Sequence, residues 1–458
     1  MAIKFGVFCD SVIFISLCTI ILVLPASIGL LSSFAGLTIL FYLFKKINQI
    51  IIDWPLKASG LSVWGKINFV WQGFAPPFNF LNRPLQFLTL AILISVVFSH
   101  YPSKSLFALF GKFLKSLFLY FSCIEVFKDE KRIGIFVGVM LGSAFLMSVG
   151  GVIQHFSGMD FIKGNLIQGE RINASFHTAN GLGAYFVPII GLALSLLYSA
   201  LVQKRSWFIG GLLAILSFFL LTALCWTFSR SAWVGYLISL GILFLLDYRK
   251  VLFIGSLILV FIFIFSPSLN HVRHLFLIND DPKATERFVL PSYDIKEVLK
   301  FRGSGRLVYW EKAISIIRSS PVTGTGLNTY AMVIRLDPNP QVRNWYAHNC
   351  YLQMAAETGL LGLACFLYLL FVLLWQCFRH CHQVENSWDL AILQGAISGL
   401  CGFLVQSFFD NTFYNVQLGV LMWLFFGLMV ALTRLPALQK NDSVKSNMKN
   451  IYDMGSNL

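Results

Sequence analysis

Long apolar runs alternate with short polar stretches along most of the chain. A helix needs about 20 apolar residues to cross the hydrocarbon core of a bilayer. By that measure, hydropathy predicts about twelve transmembrane helices, although several runs are short or interrupted by glycine. They lie near residues 8–24, 27–44, 84–99, 106–127, 133–153, 181–202, 207–227, 232–247, 251–267, 351–377, 389–409 and 414–434. The pattern therefore predicts an all-α polytopic membrane protein.

Two longer polar stretches interrupt this pattern. Residues 45–83 are rich in Trp and Pro and carry Lys57 and Lys66. Tryptophan is enriched at the membrane–water interface, where lysine faces lipid phosphates. We therefore expect 45–83 to be an interfacial segment within an N-terminal group of transmembrane helices, residues 1–169.

The second stretch, residues 268–350, predicts a large, partly helical loop inside a second transmembrane domain, 170–434. A helix over about 305–319 is favoured by apolar residues that share one face. Ser304 is its predicted N-cap, and Pro321 follows its end. Gly324-Thr325-Gly326 then predicts a tight loop. The apolar positions of that helix are Leu307, Trp310, Ile314 and Ile317.

Lysine and arginine are concentrated in alternate connections between the runs. Residues 25–27 carry no charge, and residues 100–105 carry only Lys104. Basic loops stay on the cytoplasmic side, so we expect both termini, including the polar tail 435–458, to be cytoplasmic. The basic residues on that side are Lys45, Lys46, Lys57, Lys66, Arg83, Lys128, Lys131, Arg132, Lys204, Arg205, Arg249, Lys250, Arg379, Lys440, Lys445 and Lys449.

The composition agrees with a membrane protein. Residues are 57% hydrophobic and 12% charged, against roughly 25% charged in soluble domains. The formal net charge of +14 is then mostly a topogenic signal. Because no large basic, aromatic-interleaved surface lies outside the membrane, the pattern argues against nucleic-acid binding.

The polar residues at the ends of the runs fall on the non-cytoplasmic face in this topology. Arginine binds phosphate through a bidentate fork, helix N-termini attract phosphate, and histidine is a possible general base. The group predicts a site for an anionic, phosphorylated ligand, although each member alone is also typical of an interfacial or structural residue. The members are Arg171, His177, Asn180, Arg230, Arg306, His348, Asn349, Asp410 and Asn411.

Glu357 differs from that group because it lies further into a predicted span. An ionisable residue there is costly and indicates a functional role. It falls on one helical stripe with Asn349 and Gln353. We therefore include Glu357 among the candidate substrate-binding residues.

The sequence gives no metal signal and no cofactor motif. Most cysteines lie in spans, where they act as small apolar residues. The cluster Cys377, His380, Cys381 and His382 lies at a cytoplasmic helix end, where interfacial residues without a ligand role are the preferred interpretation. No carboxylate pair typical of a metal-dependent membrane glycosyltransferase is present, so any chemistry is expected to depend on arginine charge.

These motifs, in this order, resemble the O-antigen ligase and O-antigen polymerase superfamily. The similar stretch covers roughly 170–430. It runs from Arg171…Phe176-His177-Thr178-Ala179-Asn180-Gly181 through Ser229-Arg230-Ser231 and Gly305-Arg306 to His348-Asn349-Cys350-Tyr351-Leu352-Gln353…Glu357-Thr358-Gly359-Leu360-Leu361-Gly362. The resemblance implies a GT-C-like, inverting, metal-independent glycosyltransferase of the bacterial inner membrane with a periplasmic site.

The resemblance also implies roles for residues. Arg230 and Arg306 would bind the diphosphate of a polyprenyl diphosphate-linked glycan donor, and His348 would be the general base for an acceptor hydroxyl. Arg171 would be a further anion contact and Asp410 a supporting acid. The remaining substrate-binding candidates are His177, Asn180, Asn349 and Glu357.

The acceptor distinguishes the possible activities. A ligase would use lipid A-core, a polymerase the next lipid-linked repeat, and protein O-glycosylating relatives a polypeptide. We favour the ligase. A solute transporter, from a different class, is the other alternative, but it should place its ionisable groups near the midplane of the bilayer.

Overall fold

The computed structural model describes residues 2–203, 206–246, 306–337, 346–384 and 386–455. Within these ranges it contains helices and two isolated β-bridges but no strand, which confirms the all-α prediction. A π-helix, Leu109–Leu114, joins α5 to α6, and a 3₁₀ turn, Thr412–Tyr414, precedes the last helix. The α-helices are α1 (Ala2–Val23), α2 (Ile28–Lys57), α3 (Val63–Phe74), α4 (Asn82–Val97), α5 (Pro102–Ala108), α6 (Lys115–Val126), α7 (Glu130–Ser157), α8 (Ala179–Val202), α9 (Trp207–Trp226), α10 (Arg230–Leu245), α11 (Arg306–Ser319), α12 (Tyr330–Arg335), α13 (Cys350–His380), α14 (Ser387–Gln406) and α15 (Val416–Gly455).

Among the described residues, nine helical segments are long and apolar enough to cross a membrane. Two further predicted runs, 84–99 and 232–247, correspond to the shorter apolar helices α4 and α10. The run 251–267 lies outside the described residues. The nine segments are Lys4–Val23, Ile28–Pro55, Pro102–Val126, Glu130–Ser157, Ala179–Val202, Trp207–Trp226, Cys350–His380, Ser387–Gln406 and Val416–Leu435.

Helices α8, α10 and α14 form a closely packed group because glycines face one another. A Cβ on Gly399 would lie 2.3 Å from the carbonyl oxygen of Pro188, and one on Gly235 would lie 2.6 Å from that of Gly402. Small residues let helix backbones approach in lipid, where no hydrophobic force drives helices together. In this group α14 runs antiparallel to α8 and α10, so its end meets the beginnings of the other two.

Helix α13 is broken at Gly359, whose φ of 72° and ψ of 175° are not helical. A break leaves helix carbonyls and N–H groups without their usual partners. The chain that follows α11 supplies them: Thr325 N donates to Ala356 O at 3.0 Å and Leu360 N donates to Pro321 O at 2.8 Å. The loop and the broken helix therefore form one hydrogen-bonded unit.

Glycines make this close contact possible. A Cβ on Gly324 would lie 2.3 Å from the carbonyl carbon of Glu357, and one on Gly359 would lie 1.9 Å from the carbonyl oxygen of Val322. Both glycines also have positive φ, a region that side-chain-bearing residues rarely adopt. The tight loop predicted at 324–326 is thus a docking element as well as a turn.

The predicted interfacial segment 45–83 is partly a continuation of a span. Residues 45–57 belong to α2, and Lys45 Nζ lies 2.5 Å from Asp10 Oδ1 and 2.8 Å from Glu125 Oε1. The following helix, α3, contains no buried residue and exposes Trp64. The location of α3 at the cytoplasmic interface stays a prediction, as do the proposed domain boundaries.

Candidate anion-binding site

The loop between α7 and α8 is fixed from the end of α7 by Gln154. Gln154 is fully buried, and its Oε1 accepts the backbone N–H groups of Asn173 and Ala174 at 2.9 and 2.8 Å. Its Nε2 donates to Asn173 Oδ1 at 2.8 Å and to Asn165 O at 2.9 Å. Gln154 is not among the residues predicted from the sequence, although an amide near the end of an apolar run is a signal for such a role.

Arg171 is held at the junction of three elements. Its Nε donates to Thr227 O at 2.9 Å, in the link between α9 and α10, and its Nη2 donates to Asn180 Oδ1 at 2.6 Å, in the first turn of α8. Gln406 Nε2, at the end of α14, lies 3.5 Å from Asn180 O. The structure therefore brings Arg171 and Asn180 together. His177 is exposed, and its carbonyl accepts from the side chain of Gln168 at 2.8 Å.

Arg230 and Arg306 each begin a helix. Arg230 is the first residue of α10 and is exposed, and Arg306 is the first residue of α11 and is partly buried. Phe228, two residues before Arg230, has a φ of 48°, a left-handed conformation uncommon outside glycine. Since helix N-termini carry partial positive charge, the position of Arg230 adds to the attraction that its guanidinium exerts on an anion.

His348 faces Asp410 across the junction of α13 and α14. His348 Nδ1 lies 3.7 Å from Asp410 Oδ1, and Asp410 Oδ1 also accepts the backbone N–H of Asn411 at 2.8 Å. The junction is fixed by Cys350 N, which donates to Ser407 O at 2.9 Å. His348 has a φ of 51°, so its left-handed backbone turns the chain just before the N-cap of α13.

Asn349 is that N-cap. Its Oδ1 accepts the backbone N–H groups of Tyr351 and Leu352, both at 3.0 Å, and the side chain is fully buried. N-capping typically contributes about 1 kcal/mol to helix stability. The structure thus gives Asn349 a structural contact directly beside His348.

Helix α11 lies over this junction through two aromatic residues. The ring centroid of Tyr309 is 5.7 Å from that of His348, and the centroid of Trp310 is 5.6 Å from that of Phe408. The observed bounds, Arg306–Ser319, agree with the predicted helix over about 305–319.

Helix α11 packs through small and medium apolar residues. Ala313 and Ile316 are its buried residues, whereas Ile314 is 37% exposed. Ala313 and Ile316 pack in a small core with Tyr330 and Ile334. Of the apolar residues that predicted the helix, Leu307, Trp310 and Ile317 are partly buried.

The charges of the site act on one another. Burial lowers the pKa of Arg171; the negative charge of Asp410 opposes that shift, and the positive charges of Arg230 and Arg306 reinforce it. Burial likewise lowers the pKa of Arg306, again opposed by Asp410 and reinforced by Arg230. Arginine stays protonated despite such shifts. Three arginines and one carboxylate therefore leave a net positive charge that suits an anion.

The pKa of Asp410 reflects the same cluster. Burial raises it, but the contact with His348, the N–H of Asn411 and the charge of Arg306 outweigh burial and leave the pKa below its usual value. The Asp410 carboxylate is therefore ionised at neutral pH, which suits it to orient a histidine.

Glu357 lies apart from this charge cluster. Its buried carboxylate accepts the backbone N–H of Asn328 at 2.7 Å and that of Tyr330 at 3.2 Å. Gln353 Nε2 donates to it at 3.1 Å. These contacts join the docked loop to α13, so a substrate-binding role for Glu357 rests on the sequence prediction alone.

The described part of the chain contains no group of three or more His, Cys, Asp or Glu side chains placed to hold a metal ion. Cys377 and Cys381 are buried in the last turns of α13, and His380 Nδ1 lies 2.8 Å from Gln376 O. These residues therefore have contacts of the kind expected for a helix end.

Fold and site together define a polytopic helical membrane protein with a cationic site at one end of its helices. Residues 215–367, about one third of the chain, match the family model Wzy_C, described as O-antigen ligase, and this match supports the O-antigen ligase superfamily for this chain, as the motifs predict. Arg230, Arg306, His348, Asn349 and Glu357 lie inside the matched range, whereas Arg171, His177, Asn180 and Asp410 lie outside it. No curated protein matches the chain.

Proposed function

We propose that the protein is an O-antigen ligase-type glycosyltransferase. It transfers a glycan from a polyprenyl diphosphate carrier to a hydroxyl of lipid A-core at the periplasmic face of the bacterial inner membrane. The observation that carries the proposal is the arrangement of Arg171, Arg230 and Arg306 around the His348–Asp410 pair. That arrangement combines an anion site with a general base.

In the proposed reaction, the acceptor oxygen attacks the anomeric carbon of the donor sugar while the bond from that carbon to the diphosphate breaks. His348 takes the proton of the acceptor hydroxyl, and Asp410 orients His348 and offsets its charge. Attack opposite the leaving group inverts the anomeric configuration. The departing diphosphate gains negative charge, which Arg230 and Arg306 stabilise, with Arg171 as a further contact. A preorganised positive site of this kind supplies the stabilisation that a metal ion would otherwise give.

The positions of the charges favour an enzyme over a transporter. Arg230, Arg306 and His348 lie at helix ends, whereas transporter sites lie near the midplane of the bilayer. Glu357 is the exception by position, but its carboxylate holds a loop. A polymerase of the same superfamily is the remaining alternative because it would use the same chemistry on another acceptor.

The test is complementation of a strain that lacks the gene, read as a gel of its envelope glycolipids. We expect Arg306→Ala and His348→Ala to reduce transfer by about 100-fold or more, since removing an electrostatic contact or a general base typically has that effect. Arg318→Ala, on the exposed side of the same helix as Arg306, and His382→Ala, at the other end of α13, are the matched controls.

Loss of the long-chain ladder with accumulation of carrier-linked polymer supports a ligase. Products that stop at a single repeat indicate a polymerase instead. An unchanged ladder in the deletion strain, or full rescue by both site variants, contradicts the proposal.

A further inference from the structure

Three buried amide side chains beside His348 have polar atoms that find no partner among the described residues. They are Asn349 Nδ2, Gln406 Oε1 and both side-chain atoms of Asn411. Asn349 and Gln406 are fully buried and Asn411 is 8% exposed. A buried polar atom without a partner destabilises the folded state, so these amides are not explained by the stability of the fold.

The three amides belong to one small region. Asn349 is next to Cys350, whose Sγ donates to Asp410 O at 3.2 Å, directly before Asn411. Gln406 precedes Ser407, whose carbonyl accepts the N–H of Cys350 at 2.9 Å. Asn349 and Asn411 are therefore neighbours in sequence of His348 and Asp410 at the junction of α13 and α14. The amide of Gln406 lies on the α8 side of that junction, with its Nε2 3.5 Å from Asn180 O.

This region differs chemically from the arginine cluster beside it. Amide groups are neutral and present both donors and acceptors, which matches hydroxyl groups rather than phosphate. Trp310 Nε1 is also buried without a hydrogen-bond partner among the described residues, and the Trp310 ring lies against Phe408, two residues from Gln406. Neutral hydrogen-bonding groups beside an aromatic ring are typical of a pocket for a polar, uncharged ligand.

We propose that Asn349, Gln406 and Asn411 form a hydroxyl-binding subsite that holds the acceptor sugar beside His348. This inference rests on the proposed glycosyl transfer and adds the chemical class of the acceptor. The acceptor is a sugar, and the neutral amides bind the hydroxyl groups next to the hydroxyl that attacks the donor. The anionic carrier binds the arginines and the sugar binds the amides. Gln406 lies between the two, because its Nε2 is 3.5 Å from the carbonyl of Asn180, whose side chain Arg171 contacts.

The subsite is shielded from solvent, since its unpartnered atoms are buried. Tyr309 and Trp310 of α11 lie against His348 and Phe408 and so cover the junction.

The test uses variants that replace the amides. Asn411→Leu removes no side-chain hydrogen bond seen among the described residues, whereas Gln406→Met also removes the 3.5 Å contact of Nε2 with Asn180 O. Asn411→Leu and Gln406→Met are near-isosteric and apolar, and Asn349→Ser keeps a neutral N-cap acceptor. Replacing an unpartnered polar group by an apolar one of the same shape is nearly neutral or stabilising. We expect Asn411→Leu to melt in detergent at or above the wild-type temperature, and Gln406→Met to melt close to it, because the only hydrogen bond lost there among the described residues is the long one to Asn180 O. Their KM for lipid A-core should rise about 10-fold or more, because one lost hydrogen bond of about 1.4 kcal/mol gives that factor.

Two controls separate this inference from the proposed function. Asn79 is a buried amide with partners on both side-chain atoms: Nδ2 donates to Pro77 O at 2.9 Å and Oδ1 accepts from Leu81 N at 2.9 Å. Asn79→Leu should therefore lower the melting temperature. Binding of polyprenyl diphosphate that bears no sugar is the second control, since Arg306→Ala should weaken it and Asn411→Leu should not.

The outcomes are distinct. A melting temperature of Asn411→Leu that falls as far as that of Asn79→Leu overturns the subsite, because its amide then has a partner in the folded protein. An unchanged acceptor KM in Asn411→Leu and Gln406→Met also overturns it. If His348→Ala and Arg306→Ala keep full transfer, the proposed function fails, whatever the amide variants do.

Discussion

At the residue scale, the individual side chains of the site can be predicted from the sequence, but the contacts between them cannot. Arginine and histidine at the ends of apolar runs stand out because polar residues are rare there. The pairing of His348 with Asp410 joins distant parts of the chain, and the contact of Arg171 with Thr227 O is to a backbone atom. Backbone acceptors have no sequence signature, so this part of the site required the structure.

Asp410→Asn should reveal this pairing through its dependence on pH. The pKa of Asp410 is lowered in the folded protein, so its carboxylate contributes stability that is fully present above the unfolded pKa of about 3.9 and is lost as pH falls through the lower, folded value. The stability difference between wild type and Asp410→Asn should persist from about pH 8 to pH 5 and shrink below about pH 4. Thermal melts in detergent across that range are the measurement. A difference that already disappears near pH 6 would contradict the assignment.

At the scale of single elements, the loop that carries α11 is positioned by the break in α13. Hydropathy predicts a continuous span over 351–377, and composition predicts a tight loop at 324–326. Neither pattern indicates that the loop docks at Gly359, because the contact is made by backbone atoms distant in sequence. The fold shows that the segments Gly324-Thr325-Gly326 and Glu357-Thr358-Gly359 pack directly against each other.

Gly359→Ala tests this docking. A Cβ at Gly359 would lie 1.9 Å from Val322 O, and its φ is 72°. Backbone strain of this kind costs about 1–3 kcal/mol before the overlap is relieved. We expect a lower melting temperature together with reduced glycan transfer, as the loop that carries Arg306 separates from α13. Gly142→Ala is the matched control, because a Cβ there meets nothing within 4 Å and alanine favours a helix. Equal melting temperatures for the two variants would refute the docking role.

At the scale of the whole molecule, hydropathy predicts the helical membrane architecture well but predicts the number of spans less well. Nine candidate spans among the described residues coincide with predicted runs, because burial in lipid is dictated by local composition. Helices α4 and α10 are only 16 residues long, below the length that a perpendicular span requires. Packing against neighbouring helices explains how so short an apolar helix is retained: α10 meets α14 at Gly235 and Gly402. The hydropathy of one apolar run contains no information about which helices it packs against.

The orientation of the whole molecule is the remaining prediction of the charge pattern. Lysine and arginine place α3 in the cytoplasm and the loop between α7 and α8 outside. Asn68→Cys and Glu170→Cys put single exposed thiols on these two segments, and the native cysteines are all buried or partly buried, so background labelling is low.

In intact spheroplasts, a membrane-impermeant maleimide should label Glu170→Cys but should label Asn68→Cys only after permeabilisation. The Arg171 loop would then face the compartment that contains the acceptor glycolipid. The predicted topology has an odd number of membrane crossings between α3 and α8, which puts the two cysteines on opposite sides. Labelling of both cysteines from one side would contradict that number of crossings. Reversed labelling would place the arginines in the cytoplasm, where a periplasmic transfer is impossible, and the proposed function would fail with the topology.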